Sequence, residues 1–110
     1  MPVHRLDYLI EKFQQALYIL ATGEGDARSR LEIAHRCFWT ILIDDYSKSL
    51  RKKRQSIDKL LTRLEGREGY VIPDNLRKMK NKSASKICAL IVTLYFDLVQ
   101  EREETTTDPP

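Results

Sequence analysis

The sequence predicts an all-α protein, a four-helix bundle with a short extra helical turn near residues 74–80. Apolar residues recur at three- and four-residue steps in four segments, which is the periodicity of helices with one buried face. Glycine and proline, which interrupt helices, number four each, and two of the prolines end the chain. With 110 residues and 42% hydrophobic composition, we expect one domain over residues 1–102 and a disordered tail over residues 103–110.

The first helix is predicted over residues 4–22 and the second over residues 27–45. Gly23 ends the first helix, and Asp26 is a candidate N-cap for the second. From Phe38 to Ile43 only one residue is polar, so we expect this part of the second helix to be apolar nearly all round. The apolar stripe of the first helix comprises Leu6, Leu9, Ile10, Phe13, Leu17 and Leu20.

The third helix is predicted over residues 48–65, with Ser47 or Ser49 as its cap. Four consecutive cations interrupt its narrow apolar stripe and spread around one turn of the helix. Pro73 can begin a helix but cannot continue one backwards, so a short turn is expected over Asn75–Lys80. The stripe comprises Leu50, Ile57, Leu60, Leu61 and Leu64.

The last helix is predicted to begin at Ser83 or Ser85 and to run to about Glu101. Residues 87–96 are rich in β-branched and aromatic types, so a buried strand is the alternative for this segment. A helix is favoured because the apolar run is long, contains no glycine or proline, and has no hairpin partner.

Positive charge is concentrated in the middle of the chain. Residues 47–86 contain thirteen Lys and Arg against four Asp and Glu, a net charge of +9, whereas the segments before and after carry −2 and −4. Such a block predicts a polyanion-binding surface. The residues expected to form it are Arg51, Lys52, Lys53, Arg54, Lys59, Arg63, Arg77, Lys78, Lys80, Lys82 and Lys86.

The preferred functional hypothesis is a small binding module that contacts nucleic acid, or another polyanion, through residues 51–86. Tyr70 is the only aromatic residue between residues 47 and 86, which disfavours base stacking and favours contact with the phosphate backbone. Reversing the charges of residues 51–54 is expected to remove binding and leave the fold intact. The alternative is a protein-interaction adaptor, such as an antitoxin, immunity protein or assembly subunit, that binds an acidic protein.

A third hypothesis concerns Arg30 and His35, which are separated by four residues. This pair resembles the short Arg–His signature of HEPN-type ribonucleases, which are small helical bundles that usually dimerise. The resemblance covers two residues, and it implies a His that acts on the RNA phosphodiester and an Arg that supports charge at phosphate. Because a helix surface explains the same spacing, we predict that Arg30 and His35 are not catalytic. We expect neither a metal nor a cofactor.

The second and last helices carry more apolar surface than a single stripe can bury. We therefore expect self-association, most simply as a twofold dimer, through Trp39, Ile43, Val92 and Phe96. Cys37 and Cys88 lie in apolar runs and are interpreted as small buried hydrophobes. The apolar run Ile87 to Tyr95 is too short to span a bilayer, and no signal peptide is evident, so a cytoplasmic protein that does not contact membranes is the expectation.

Overall fold

The computed structural model describes residues 3–106, and this part of the chain is all-helical. Five helices are present where four helices and an extra turn were expected, and the described residues contain no strand. The all-α prediction is therefore confirmed, and the strand alternative for residues 87–96 is wrong. The elements are α1 (Val3–Thr22), α2 (Ala27–His35), a 3₁₀ helix (Ile43–Asp45), α3 (Lys48–Leu61), α4 (Val71–Lys78) and α5 (Asn81–Thr106).

The long helix α5 is the centre of the structure and packs against α1, α2 and α3. It runs antiparallel to α1, because Gln14 Nε2 donates to the Tyr95 hydroxyl at 3.2 Å and Arg102 pairs with Asp7 at 3.0 Å. The side of α5 that faces the other helices is apolar and buried. Its buried residues are Ala84, Ile87, Ile91, Leu94 and Leu98.

The predicted stripes of α1 and α3 form much of the core. In α1 the first four stripe residues are buried, while Leu17 and Leu20 are half-buried at its edge. In α3 the stripe residues Leu60 and Leu64 are exposed, while Leu61 is buried. Leu64 lies beyond the helix, because α3 ends at Leu61 instead of residue 65. The two thiols, Cys37 and Cys88, are half-buried and free.

The second helix ends at His35, ten residues before its predicted end. Phe38, Ile41 and Tyr46 are still buried, but Phe38 and Ile41 lie in an irregular segment and Tyr46 directly follows the 3₁₀ helix. The Arg54 side chain of α3 binds carbonyl groups of this segment, which are therefore not used in helical hydrogen bonds. Arg54 donates to the carbonyl oxygens of Trp39 (3.3 Å) and Ile41 (3.0 Å) in this irregular segment.

The boundaries of α4 and α5 also differ from the prediction. Helix α4 begins at Val71, so Pro73 occupies its third position, where the missing N–H has no intrahelical partner to lose. Helix α5 begins at Asn81 and ends at Thr106, so residues 103–106, expected in the tail, are helical. The remaining tail residues, 107–110, lie outside the described part of the chain.

By length and composition, the segment Asn81–Thr105 of α5 meets the criteria for a membrane-crossing helix. The central helix of a soluble domain meets the same criteria, and α5 contacts three other helices. About a quarter of its most apolar stretch (28%) is buried inside the fold. The rest includes an exposed side, on which Phe96 lies.

Candidate polyanion-binding groove

Three helix ends meet around a groove of about 380 Å³: the C-terminal ends of α3 and α4 and the N-terminal end of α5. The groove has cations around it and an apolar floor. Its cations are Arg63, Lys78, Lys80 and Lys86, all from the predicted basic block. The other lining residues are Leu60, Leu64, Asn75, Met79, Ser83 and Ile87.

The chain folds tightly enough here to bring the four cations together. Only Met79 and Lys80 link α4 to α5, so the end of one helix lies beside the start of the next. The first amides of α5 have no helical acceptor and add positive potential to that of the lysines. Both effects raise the positive potential at the groove.

Within the described part of the chain, no acidic residue lines the groove. Among residues 3–106, Arg63, Lys80 and Lys86 have no carboxylate within ion-pair distance, and Lys78 donates only to the Glu65 carbonyl oxygen at 3.5 Å. The four positive charges therefore remain uncompensated within this part of the chain. Lys82 lies in the first turn of α5, is exposed, and extends the positive surface beyond the groove.

Asn75 fixes the wall of the groove through three hydrogen bonds of 2.8 Å. Its Oδ1 accepts from the Leu64 amide, and its Nδ2 donates to the carbonyl oxygens of Leu64 and Val71. The side chain is 2% exposed, so it acts as a buried clamp between α4 and the segment that follows α3. Sequence analysis did not identify this role, because an asparagine in a short turn is ordinarily read as a solvated turn residue.

Asp74 holds the same segment from the other side. It accepts hydrogen bonds from the Arg67 amide (2.9 Å) and guanidinium (2.8 and 3.0 Å), and it pairs with Arg77 at 3.1 Å. These bonds, with those from Arg67 largest, hold the pKa of the Asp74 carboxyl well below its usual range. Arg77, a predicted binding residue, therefore shares the Asp74 carboxylate with Arg67, and its side chain lines a different depression beside α2.

The cations of the N-terminal half of α3 do not reach this groove. Arg51 donates to the carbonyl oxygens of Tyr46 (3.0 Å) and Asp44 (3.4 Å), and Lys53 pairs with Asp97 of α5. Lys52 is exposed at that end of α3, and Lys59 is exposed near the other end. The residues of the basic block therefore do not form one continuous surface. One group of cations surrounds the groove, and a separate group lies at the start of α3.

Arg54, predicted as a binding residue, is in the core. It is 4% exposed and donates to the Tyr46 hydroxyl at 2.8 Å, the Ile41 carbonyl at 3.0 Å and the Asp58 carboxylate at 3.1 Å. The prediction that Arg54 belongs to the surface is therefore wrong. Reversing its charge, together with that of residues 51–53, cannot be expected to leave the fold intact.

Arg30 and His35 have different partners in the structure. Arg30 donates to the carbonyl oxygens of Leu20 (3.0 Å) and Asp26 (3.4 Å), whereas His35 is 5% exposed and packs edge-on against Phe38. Burial and the Arg54 guanidinium lower the pKa of His35 to about 4. The spacing had indicated that His35 lies on the helix surface, but the side chain is buried. His4, the other histidine, has a side chain outside the described part of the structure.

The residues predicted to mediate self-association lie on different surfaces. Trp39, which is 57% exposed, lines an apolar groove of about 460 Å³ with Val71 and Ile72 of α4. Phe96 is 61% exposed on the side of α5 that faces away from the core. Ile43 and Val92 are half-buried. Trp39 and Phe96 are therefore the two of these residues that are exposed, and self-association stays a prediction.

Within residues 3–106, no group of three or more His, Cys, Asp or Glu side chains could hold a metal ion. No family model matches this chain, and comparison with curated proteins and with solved structures found no significant match.

Proposed function

We propose that this protein is a cytoplasmic binding module that holds the phosphate backbone of nucleic acid in the groove between α3, α4 and α5. The observation that carries the proposal is the convergence of Arg63, Lys78, Lys80 and Lys86 around one groove without a lining carboxylate. Phosphate groups are recognised by flexible cations and by helix N-terminal amides, and this groove offers both.

The composition of the groove supports contact with the backbone rather than base reading. None of its lining residues is aromatic, so it offers no stacking platform for bases. Its side-chain donors are three lysines, one arginine and the Ser83 hydroxyl, together with the buried Asn75, which is already bonded to backbone groups. We therefore expect affinity for duplex and single strands with little sequence preference.

The test is direct measurement of binding by fluorescence anisotropy, with labelled duplexes and single strands of several sequences at increasing salt. Binding that is similar across sequences and that weakens steeply with salt supports the proposal, because each phosphate contact releases counterions. Absence of binding to every one of these probes at low salt contradicts it.

The second candidate function is an adaptor for an acidic protein, and the floor of the same groove favours it. Leu60 and Leu64 are 38% and 40% exposed there, ringed by the four cations. An acidic segment that carries apolar side chains would fit both features, whereas a phosphate backbone would leave the apolar floor uncovered. A pull-down with and without nuclease separates the two candidates: a protein retained after nuclease treatment, and lost when Lys80 and Lys86 are changed to Glu, favours the adaptor.

A further inference from the structure

The outer side of α5 is an uncovered strip of mostly small and apolar side chains with charged ends, in which the hydroxyl of Thr93 donates to the Ala89 carbonyl oxygen at 2.9 Å. Tyr95 contacts α1 and Asp97 contacts α3, so these two helices lie on opposite flanks and leave the side away from α2 uncovered. Along that side Ala89, Thr93 and Phe96 are exposed and Val92 is half-buried. Phe96 is 61% exposed, and its ring packs edge-on against Tyr95 with centroids 5.6 Å apart.

The charges at the two ends of the strip are opposite in sign. Lys82 and Lys86 lie at its N-terminal end, and Glu103 and Glu104 lie at its C-terminal end, all with exposed side chains. A second α5 packed in parallel would place lysine against lysine and glutamate against glutamate. A second α5 packed antiparallel places each basic end against an acidic end, so the charge pattern complements itself in one orientation only.

We propose that a second copy of this chain docks antiparallel on the outer side of α5, with the twofold axis beside Val92 and Thr93. In this register Lys82 faces Glu103 of the second copy, and the large Phe96 ring faces the small Ala89. Pairing a large side chain with a small one across a helix contact allows close approach of the two helices. The exposed Tyr18, one helical turn beyond Gln14 on α1, extends the apolar contact at the flank.

The twofold axis determines where the two grooves of the dimer lie relative to each other, and the role given to them here rests on the proposed function. It lies perpendicular to the plane of the two α5 helices, so both α3 helices come to the same face of the dimer and both α1 helices to the other. The two grooves then open on one face, about 25 Å apart along the α5 axis at 1.5 Å per residue. A single nucleic-acid backbone can reach both.

The first test is the mass of the full chain measured by light scattering without nucleic acid, so that its outcome is independent of the binding proposal. We expect twice the monomer mass of 12.9 kDa in the micromolar range. Phe96→Glu should give a folded monomer, and the control Trp39→Glu, on a different surface, should leave the dimer intact. A monomeric wild type, or a dimer lost with Trp39→Glu and kept with Phe96→Glu, overturns the proposal.

The second test reports the orientation of the two helices. Lys82 and Glu103 are 21 residues apart on one helix, about 31 Å at 1.5 Å per residue, so a zero-length carbodiimide bond between them can form only between two molecules. We expect that bond in peptide mass spectrometry of the cross-linked dimer, and its loss with Glu103→Gln. Cross-links between Lys82 and the acidic residues of another surface would contradict the antiparallel register, as would Phe96-dependent binding to lipid vesicles by a monomeric chain.

Discussion

Arg54 donates a hydrogen bond from Nη1 to the hydroxyl of Tyr46 at 2.8 Å, and both side chains are almost fully buried. The guanidinium carbon lies 5.2 Å from the centre of the Phe38 ring and 5.5 Å from that of Tyr46. The same guanidinium binds the Ile41 carbonyl and pairs with Asp58. One arginine from α3 therefore ties the irregular segment after α2 to the core, and a charge that looks suited to ligand binding is structural.

We expect Arg54→Met to lower the free energy of unfolding by about 3 kcal/mol, because it leaves the buried Tyr46 hydroxyl and Ile41 carbonyl without their donor. Urea unfolding followed by circular dichroism measures the change. Lys52→Met is the matched control, since Lys52 is exposed in the same basic run, and its effect should stay within about 0.5 kcal/mol. Equal stability of the two variants would show that the Arg54 contacts contribute little.

The pair Lys80→Glu and Lys86→Glu should weaken nucleic-acid binding for every sequence tested. Removing two phosphate contacts should also reduce the slope of log K against log salt by about 2. The control pair Lys48→Glu and Lys52→Glu changes the net charge equally at the exposed start of α3, away from the groove. Anisotropy titrations at several salt concentrations make the comparison. An equal loss with both pairs would mean that overall charge, and not the groove, determines binding.

Asn75→Ala should destabilise the fold by about 2 kcal/mol, because the Leu64 amide and carbonyl lose buried partners at 2.8 Å. Hydrogen exchange offers a local readout, in which the Leu64 amide should exchange faster relative to amides of α5. Gln55→Ala, at an exposed position of α3, is the control. If Leu64 exchange is unchanged in Asn75→Ala, the clamp does not hold this segment.

Stability should fall as the pH is lowered from about 6.5 to about 4, owing to His35. Its pKa is about 4 in the folded protein and 6.5 when unperturbed, so between these values the unfolded chain binds more protons and is favoured. The shift corresponds to a loss on the order of 2–3 kcal/mol across this window. Urea unfolding at a series of pH values measures it.

His35→Leu serves as the comparison for this pH dependence and should flatten the curve between pH 4 and 6.5. Both proteins should still lose stability at lower pH, because hydrogen bonds lower the pKa values of Asp74 and Asp26, and these carboxylates are protonated only there. The same slope in both proteins above pH 4 would place the pH dependence in other groups.

Local periodicity was sufficient to predict where most helices lie. The stripe from Leu6 to Phe13 is buried in α1 as expected. A 3.6-residue repeat of apolar side chains places them on one face of the helix, and this holds whichever element packs against that face. The central helix was likewise predicted from its long uninterrupted apolar run. Of the cations predicted to bind polyanions, Arg63, Lys78, Lys80 and Lys86 line one groove, and their role in binding stays a prediction.

The sequence by itself determined the all-helical class, the apolar stripes and the concentration of positive charge, because each follows from residues close together in the chain. Only the tertiary structure decided which cations face solvent and which enter the core. Lys52 and Arg54 are two residues apart in one basic run, yet one is exposed and the other binds carbonyls contributed by a distant segment. The residues next to Lys52 and Arg54 in the chain do not determine which of the two is buried. Arg54 reaches the carbonyl groups that bind it only when α3 packs against the segment after α2.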